Sequence, residues 1–260
     1  MQSSFLTPDF GEQFPTLAKP PIVEAVIFWQ ALPQSRFKKP EELKELLAAA
    51  FADFPIIETM RKFRVTAQVS ETNAPIVEKT DDWTGYRLRT ADRKYAIQFR
   101  RDGLAFSQSG GYEHWQPFIE AAKQAWGTYQ RIAEPLEVQQ LSVRFINHIP
   151  AATPENVGDF LGSPPTCPEN LELKEFVYQS TFAVPSLPFT ARVIKVMQPS
   201  NPELQKSSGL FLDIDVLTNR TVSLDEREQN EILSQIRWVK NKVFFTLISD
   251  SALELFGGAE

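Results

Sequence analysis

Three sets of polar residues have types and spacings that could do chemistry. Glu24 is a single carboxylate inside the apolar run Ile22-Val23-Glu24-Ala25-Val26-Ile27-Phe28-Trp29. A carboxylate beside Val26 and Phe28 is costly without a partner, so arginine or backbone donors are expected near it. The result would be either a structural ion pair or an anchor for a ligand. Arg144, in Leu141-Ser142-Val143-Arg144-Phe145-Ile146-Asn147, is the natural neutraliser, because a guanidinium fork meets a carboxylate through two parallel hydrogen bonds. Strand alternation sets Arg144 with His148 on one face and Phe145 with Asn147 on the other. Asp213 and Asp215, one residue apart, project from one face of a strand whose other face is Leu212, Ile214 and Val216. Two such carboxylates can share a proton or hold a divalent cation. No third acid or histidine stands at ligand spacing, so a solvated polar face is the favoured reading and no metal is expected. Glu24, Arg144, Asn147, Asp213 and Asp215 are the candidate binding residues.

A second candidate is cationic. Arg87, Arg89, Arg93, Lys94, Arg100 and Arg101 lie on a predicted hairpin, interleaved with Tyr86, Tyr95 and Phe99. Arginines beside aromatics can stack on bases while contacting phosphates. Asp81, Asp82, Asp92 and Asp102 dilute that field, and charged hairpins also serve solubility and discourage edge pairing. The net charge of −6 arises wholly after residue 134, since acids and bases balance before it. A general polyanion-binding surface is therefore disfavoured in the second half.

Other classes are disfavoured by missing parts. The chain has two histidines, His114 and His148, and one cysteine, Cys167, set among Pro164, Pro165 and Pro168 in a predicted loop. A disulfide framework is thereby excluded, and no Cys/His motif supports a nucleophilic thiol. There is no Gly-rich phosphate loop, Gly-x-Ser-x-Gly elbow, His-Glu-x-x-His or Cys-x-x-Cys. No catalytic residue and no cofactor is predicted, and a non-enzymatic role is preferred. With 42% hydrophobic and 23% charged residues, the composition is that of a globular protein able to bury a core. No apolar run suits a membrane span, and Met1-Gln2-Ser3-Ser4-Phe5 lacks a basic secretory start, so a cytoplasmic protein is expected.

The elements that must position these residues follow one plan, used twice. After a tail over 1–20, a strand over Ile22–Leu32 precedes a helix opened by Pro40-Glu41-Glu42, with Leu43, Leu46, Leu47, Ala50, Phe51 and Phe54 as its apolar stripe. Strands follow over Arg61–Glu71, Trp83–Thr90, Lys94–Arg101 and Leu104–Gln108, then a long amphipathic helix over Glu113–Ile132. The second half, 135–260, restarts with a strand over Val138–Ile149 and a short helix opened by Thr153-Pro154-Glu155. Strands over Lys174–Val184, Phe189–Met197 and Gly209–Leu217 come next. A last helix over Asp225–Ile248 begins at Ser223-Leu224-Asp225-Glu226, which has capping-box spacing. Registering Pro33 on Pro150 sets Phe28 on Phe145, Gln30 on Asn147 and Leu32 on Ile149. That register does not set Glu24 and Arg144 on one face, although a pairing across the sheet centre would join them.

The expected fold is α+β: two β-α-β-sheet-α halves, 21–134 and 135–260, forming one continuous curved antiparallel sheet with the long helices on one face. In topology this resembles the TATA-box-binding-protein fold; the resemblance carries no DNA-binding residues. The phrases Pro20-Pro21-Ile22-Val23-Glu24-Ala25-Val26, Leu141–Asn147, Leu212-Asp213-Ile214-Asp215-Val216 and Lys242-Val243-Phe244-Phe245-Thr246-Leu247-Ile248 together resemble a sporadically distributed family of uncharacterised bacterial proteins of about this length. The likeness spans nearly the whole chain and implies bacterial origin and overall fold. The family's patchy occurrence implies an accessory gene, of the phage-defence or toxin–antitoxin kind. Ile232, Ile236, Trp238, Val239, Phe244, Phe245 and Leu247 exceed one narrow stripe, so the last helix must be deeply buried or meet a partner. The function ranked first is a binding module for a protein partner, with homo-oligomers allowed. A nucleic-acid accessory factor using the Arg87–Arg101 hairpin is the alternative. A third reading is a small-molecule site or enzyme on Glu24, Asp213 and Asp215.

Overall fold

The computed structural model describes residues 7–34, 40–68, 76–112, 114–198 and 208–258. Glu71 and Glu113, assigned from the sequence pattern to a strand end and a helix start, lie outside them. The fold is α+β. Strands β1 (Ile22–Gln30), β2 (Ile56–Gln68), β3 (Ile76–Arg89), β4 (Tyr95–Arg100), β5 (Gly103–Ser109), β6 (Gln140–Ile149), β7 (Phe176–Val184), β8 (Phe189–Gln198) and β9 (Gly209–Thr218) form one antiparallel sheet in the order β2-β3-β4-β5-β1-β6-β9-β8-β7. Four α-helices accompany it among the described residues: α1 (Pro40–Ala50), α2 (Trp115–Ala133), α3 (Glu226–Leu247) and α4 (Asp250–Leu255).

β1 and β6 lie side by side at the middle of the sheet. Their β-branched and aromatic residues suit a pleated surface, and alternation splits them into two sets. Ala25, Ile27 and Trp29 of β1, with Leu141, Val143 and Phe145 of β6, are fully buried. Trp29 stacks on Trp126 of α2 at 5.3 Å and donates from Nε1 to Oε1 of Gln229 in α3, so this side of the sheet meets both long helices. Tyr129 of α2 also reaches β1's end, its hydroxyl donating to the Ala31 carbonyl at 2.8 Å. Gly103 begins β5 at φ +143°, where a Cβ would lie 2.0 Å from the Trp29 carbonyl oxygen, so glycine is required for the chain to pass this close.

Several expectations are corrected. The short helix expected after Thr153-Pro154-Glu155 is a single 3-10 turn at Val157–Asp159, because Asn156 and Thr153 satisfy each other's backbone instead of starting a longer helix. On α1 the apolar stripe is narrower than predicted. Leu43, Leu47 and Phe51 are buried, but Leu46 and Ala50 face outward. The last helix is capped two residues later than a Ser223 box would give: Asp225 is the N-cap, accepting from the Glu228 amide at 2.8 Å, while Ser223 bonds the Glu228 carboxylate. A separate short helix, α4, follows α3. Val138 is not in a strand but forms an isolated bridge to Val222.

The surplus apolar surface of α3 is covered from within the chain. Phe10 meets Trp238 edge to face at 5.5 Å, and Phe14 stacks on Phe245 at 5.4 Å. The strap carrying them is tied at its far end to the segment after α3, where Leu17 bridges Gly258 and the Lys19 amide donates to the Phe256 carbonyl at 2.9 Å. Among the described residues, no helix is long and apolar enough to cross a membrane.

Candidate functional site

On the side of the sheet away from α2 and α3, β1, β6, β9 and β8 present Glu24, Arg144, Asp213, Asp215 and Arg192. The register aligns Val26 with Arg144, Arg144 with Asp215, and Asp215 with Arg192. Arg144 holds Asp213 in a two-pronged bond, Nε to Oδ1 at 2.8 Å and Nη2 to Oδ2 at 2.5 Å. The same bond raises the Arg144 pKa further. Glu24, opposite Ile146, is the diagonal neighbour of Arg144 and adds to its stabilisation. Glu24 and Arg144 therefore do share one face, contrary to the repeat register. That register aligned the halves by likeness, whereas antiparallel pairing of β1 with β6 decides which residues meet.

Asp213 and Asp215 differ from the solvated pair expected. Asp213 is committed to Arg144. Asp215 is largely enclosed, and its Oδ1 has no hydrogen-bond partner among the described residues. Burial pushes its carboxyl pKa up, against the pull of Arg192 and Arg144. Half-exposed Val26, Phe28, Ile146 and Phe211 lie around these charges.

The cationic hairpin is divided by its geometry. Arg87 and Arg89 alternate with the buried Tyr86 and Leu88, so they and Arg100 face the same side as Glu24. Arg89 lies 3.7 Å from Glu58, and Arg100 binds Asp102 through two bonds while lying over the Phe28 ring at 5.2 Å. Arg93 and Lys94 are at the β3–β4 turn and Arg101 at the β4–β5 turn, opposite ends of β4. Of the aromatics interleaved in the sequence, Tyr86 and Phe99 are buried on the other side of the sheet and cannot offer rings beside the arginines, while half-buried Tyr95 has the Lys94 ammonium 5.6 Å from its ring centre.

Asn147 is separated from the other four candidates. Its side chain is buried on the helix side and Nδ2 donates to the Leu212 carbonyl at 2.9 Å. There it lines a cavity of about 460 Å³ between the strap, the start of α2 and the second half of α3. Arg237 and Lys240 of α3 line the same space, with Lys240 Nζ 4.2 Å from the Phe145 ring centre and Arg237 over Trp115 at 5.8 Å. Sequence reasoning missed both. Their spacing of three, which puts them on one helical face, was the available signal, but an isolated basic pair on an amphipathic helix ordinarily marks its solvated side.

His148 stacks on Phe211 at 4.3 Å and its Nε2 lies 2.8 Å from the Ser208 carbonyl oxygen, while His114 is the N-cap of α2. Cys167 is exposed. Among the described residues, no three His, Cys, Asp or Glu side chains converge as metal ligands. No family model matches the chain, and no curated protein is significantly similar to it.

Proposed function

We propose that the chain is a non-enzymatic binding module that engages a protein partner through the side of the sheet bearing Glu24, Arg144, Asp213 and Asp215. The observation that carries this reading is the composition of that surface. The Arg144–Asp213 pair and its neighbouring charges stand among half-exposed Val26, Phe28, Ile146 and Phe211 on one face of the sheet. Apolar ground with positioned polar groups suits a protein surface. Arg87, Arg89 and Arg100 stand on the first-half strands and Glu24, Arg144, Asp213, Asp215 and Arg192 on the centre and second half, a pattern of both signs that would orient a partner of complementary pattern.

The same reading includes two pseudo-repeated halves, 21–134 and 135–260, with their helices on one face of a curved sheet. It is supported by the strand order, in which β1 and β6 meet at the centre and each half's remaining strands run outward from its first. A cytoplasmic setting and an accessory role in phage defence or a toxin–antitoxin pair belong to the proposal and rest on the sequence alone.

A photo-crosslinking amino acid at Ile146, compared with one at the exposed Leu136, tests this in the cells that make the protein. The expected result is discrete protein adducts from Ile146, insensitive to nuclease and weakened by Arg144→Glu. Absence of protein adducts at Ile146 would sink the reading. The nucleic-acid alternative draws on Arg87, Arg89 and Arg100 sharing one surface. Adducts lost on nuclease treatment or Arg87→Glu would favour it.

A further inference from the structure

We propose that the cavity under the strap binds a small planar organic carboxylate, with Arg237 and Lys240 holding its charged head and aromatic side chains enclosing its body. The volume of about 460 Å³ lies in the range of small-molecule sites, roughly 300–1,000 Å³. Its apolar lining is rich in aromatics, Phe14, Tyr112, Trp115 and Phe245 among them, beside Leu17, Ile22 and prolines.

The charged groups on the described lining are two cations, Arg237 and Lys240, and one carboxylate, Glu12. Arg237 and Lys240 have no carboxylate at ion-pair distance among the described residues, and Lys240 has no hydrogen-bond acceptor there beyond its contact with the Phe145 ring face. Trp238 also lines the cavity, is almost fully buried, and its Nε1 has no acceptor among the described residues. The one carboxylate on the described lining, Glu12, is taken by Lys242 at 2.6 Å. Two cations and an unpaired indole N–H around aromatic walls, in a protein whose net charge is −6, form a local site for an anion.

Burial, with Arg237 adding to it, pulls the Lys240 ammonium down to about 7. An anion bound beside it favours the charged form. Ligand binding therefore takes up a proton at alkaline pH, and affinity falls as pH rises from about 7 into the alkaline range. The other titratable and charged groups on the described lining are Glu12 (paired with Lys242), Tyr112, His114 and Arg237. Burial raises Tyr112 well above that window.

The test is calorimetric titration of the full chain with benzoate, 2-naphthoate and indole-3-acetate, each against its neutral alcohol, with tryptophan emission as a second readout from Trp115 and Trp238. The expected result is saturable one-to-one binding of at least one acid, tighter than its alcohol by tenfold or more. Lys240→Met and Arg237→Gln should each weaken it at least fivefold, and Lys240→Met should abolish the pH dependence. Arg237 is exposed, so its variant keeps the test valid if Lys240→Met unfolds. Equal affinity for acid and alcohol, binding unchanged in Arg237→Gln, or no saturable binding of any of the three acids would overturn the proposal. Since it does not draw on the open side of the sheet, it stands or falls separately from the protein-partner reading.

Discussion

The two sides of β6 handle charge in opposite ways. On one side Arg144 reaches across to Asp213 of β9 and both prongs of its guanidinium are used. On the other, Lys240 comes down from α3 onto the ring of Phe145, the very next residue, and finds no carboxylate among the described residues. A paired cation in an open setting needs no further partner to explain its presence, and its net contribution to stability is modest. An unpaired cation in a half-buried cavity lowers stability, so its presence calls for something the fold alone does not supply.

That contrast can be broken at several points. The largest effect should come from the side facing the helices: Trp29→Ala removes the stack on Trp126 and the bond to Gln229, and should cost about 3–5 kcal/mol in denaturant unfolding. A cost below about 1 kcal/mol would mean the helices are not held by this contact. Next, Arg144→Met leaves Asp213 without its fork. With the arginine side chain 45% exposed and that of Asp213 13%, solvent screening reduces the expected loss to about 1–2 kcal/mol. In Arg144→Met/Asp213→Asn most of that loss should return, and simple additivity in the double-mutant cycle would contradict direct coupling.

Lys240→Met should change stability in the opposite direction, raising it at neutral pH. The folded pKa of Lys240 lies below its ordinary value of 10.5. Between about 7 and 10.5 the unfolded state therefore binds the extra proton, so the lysine's penalty is full below that window and fades as pH rises through it. The advantage of the methionine variant should shrink from pH 7 to pH 10. Parallel pH profiles for the two proteins would show that the amine is not desolvated. Phe10→Ala should have the smallest effect, about 0.5–1.5 kcal/mol for the lost edge-to-face contact with Trp238. It should also speed proteolytic cleavage within residues 7–21, and unchanged cleavage would argue that the strap is held by other contacts.

The fold was largely legible because its signals are local. Alternation in Ile22–Gln30, Gln140–Ile149 and Gly209–Thr218, and the helical stripe from Phe118 to Tyr129, each recur along short stretches, and burial follows them. Weaker local signals were overruled. Leu46 fits the α1 stripe by spacing yet is exposed, while Leu43 and Leu47 of the same helix are buried. The candidate site was half legible. Glu24, Arg144, Asp213 and Asp215 do share a face, but the choice of Asp213 over Glu24 as the arginine's partner depends on inter-strand register, which no single strand encodes.

By itself the sequence determined the strand and helix types, the side of each strand that is apolar, and the placing of a carboxylate, an arginine and a pair of aspartates on the polar sides. These follow from periods of two and of about 3.6 residues, which need no knowledge of neighbours. Tertiary structure alone decided that β1 pairs with β6, that Asn147 and Lys240 line one cavity although 93 positions separate them, and that Phe10 and Phe14 fold back to cover α3. Those outcomes depend on which surfaces can be buried together, a property of the assembled chain that no local pattern carries.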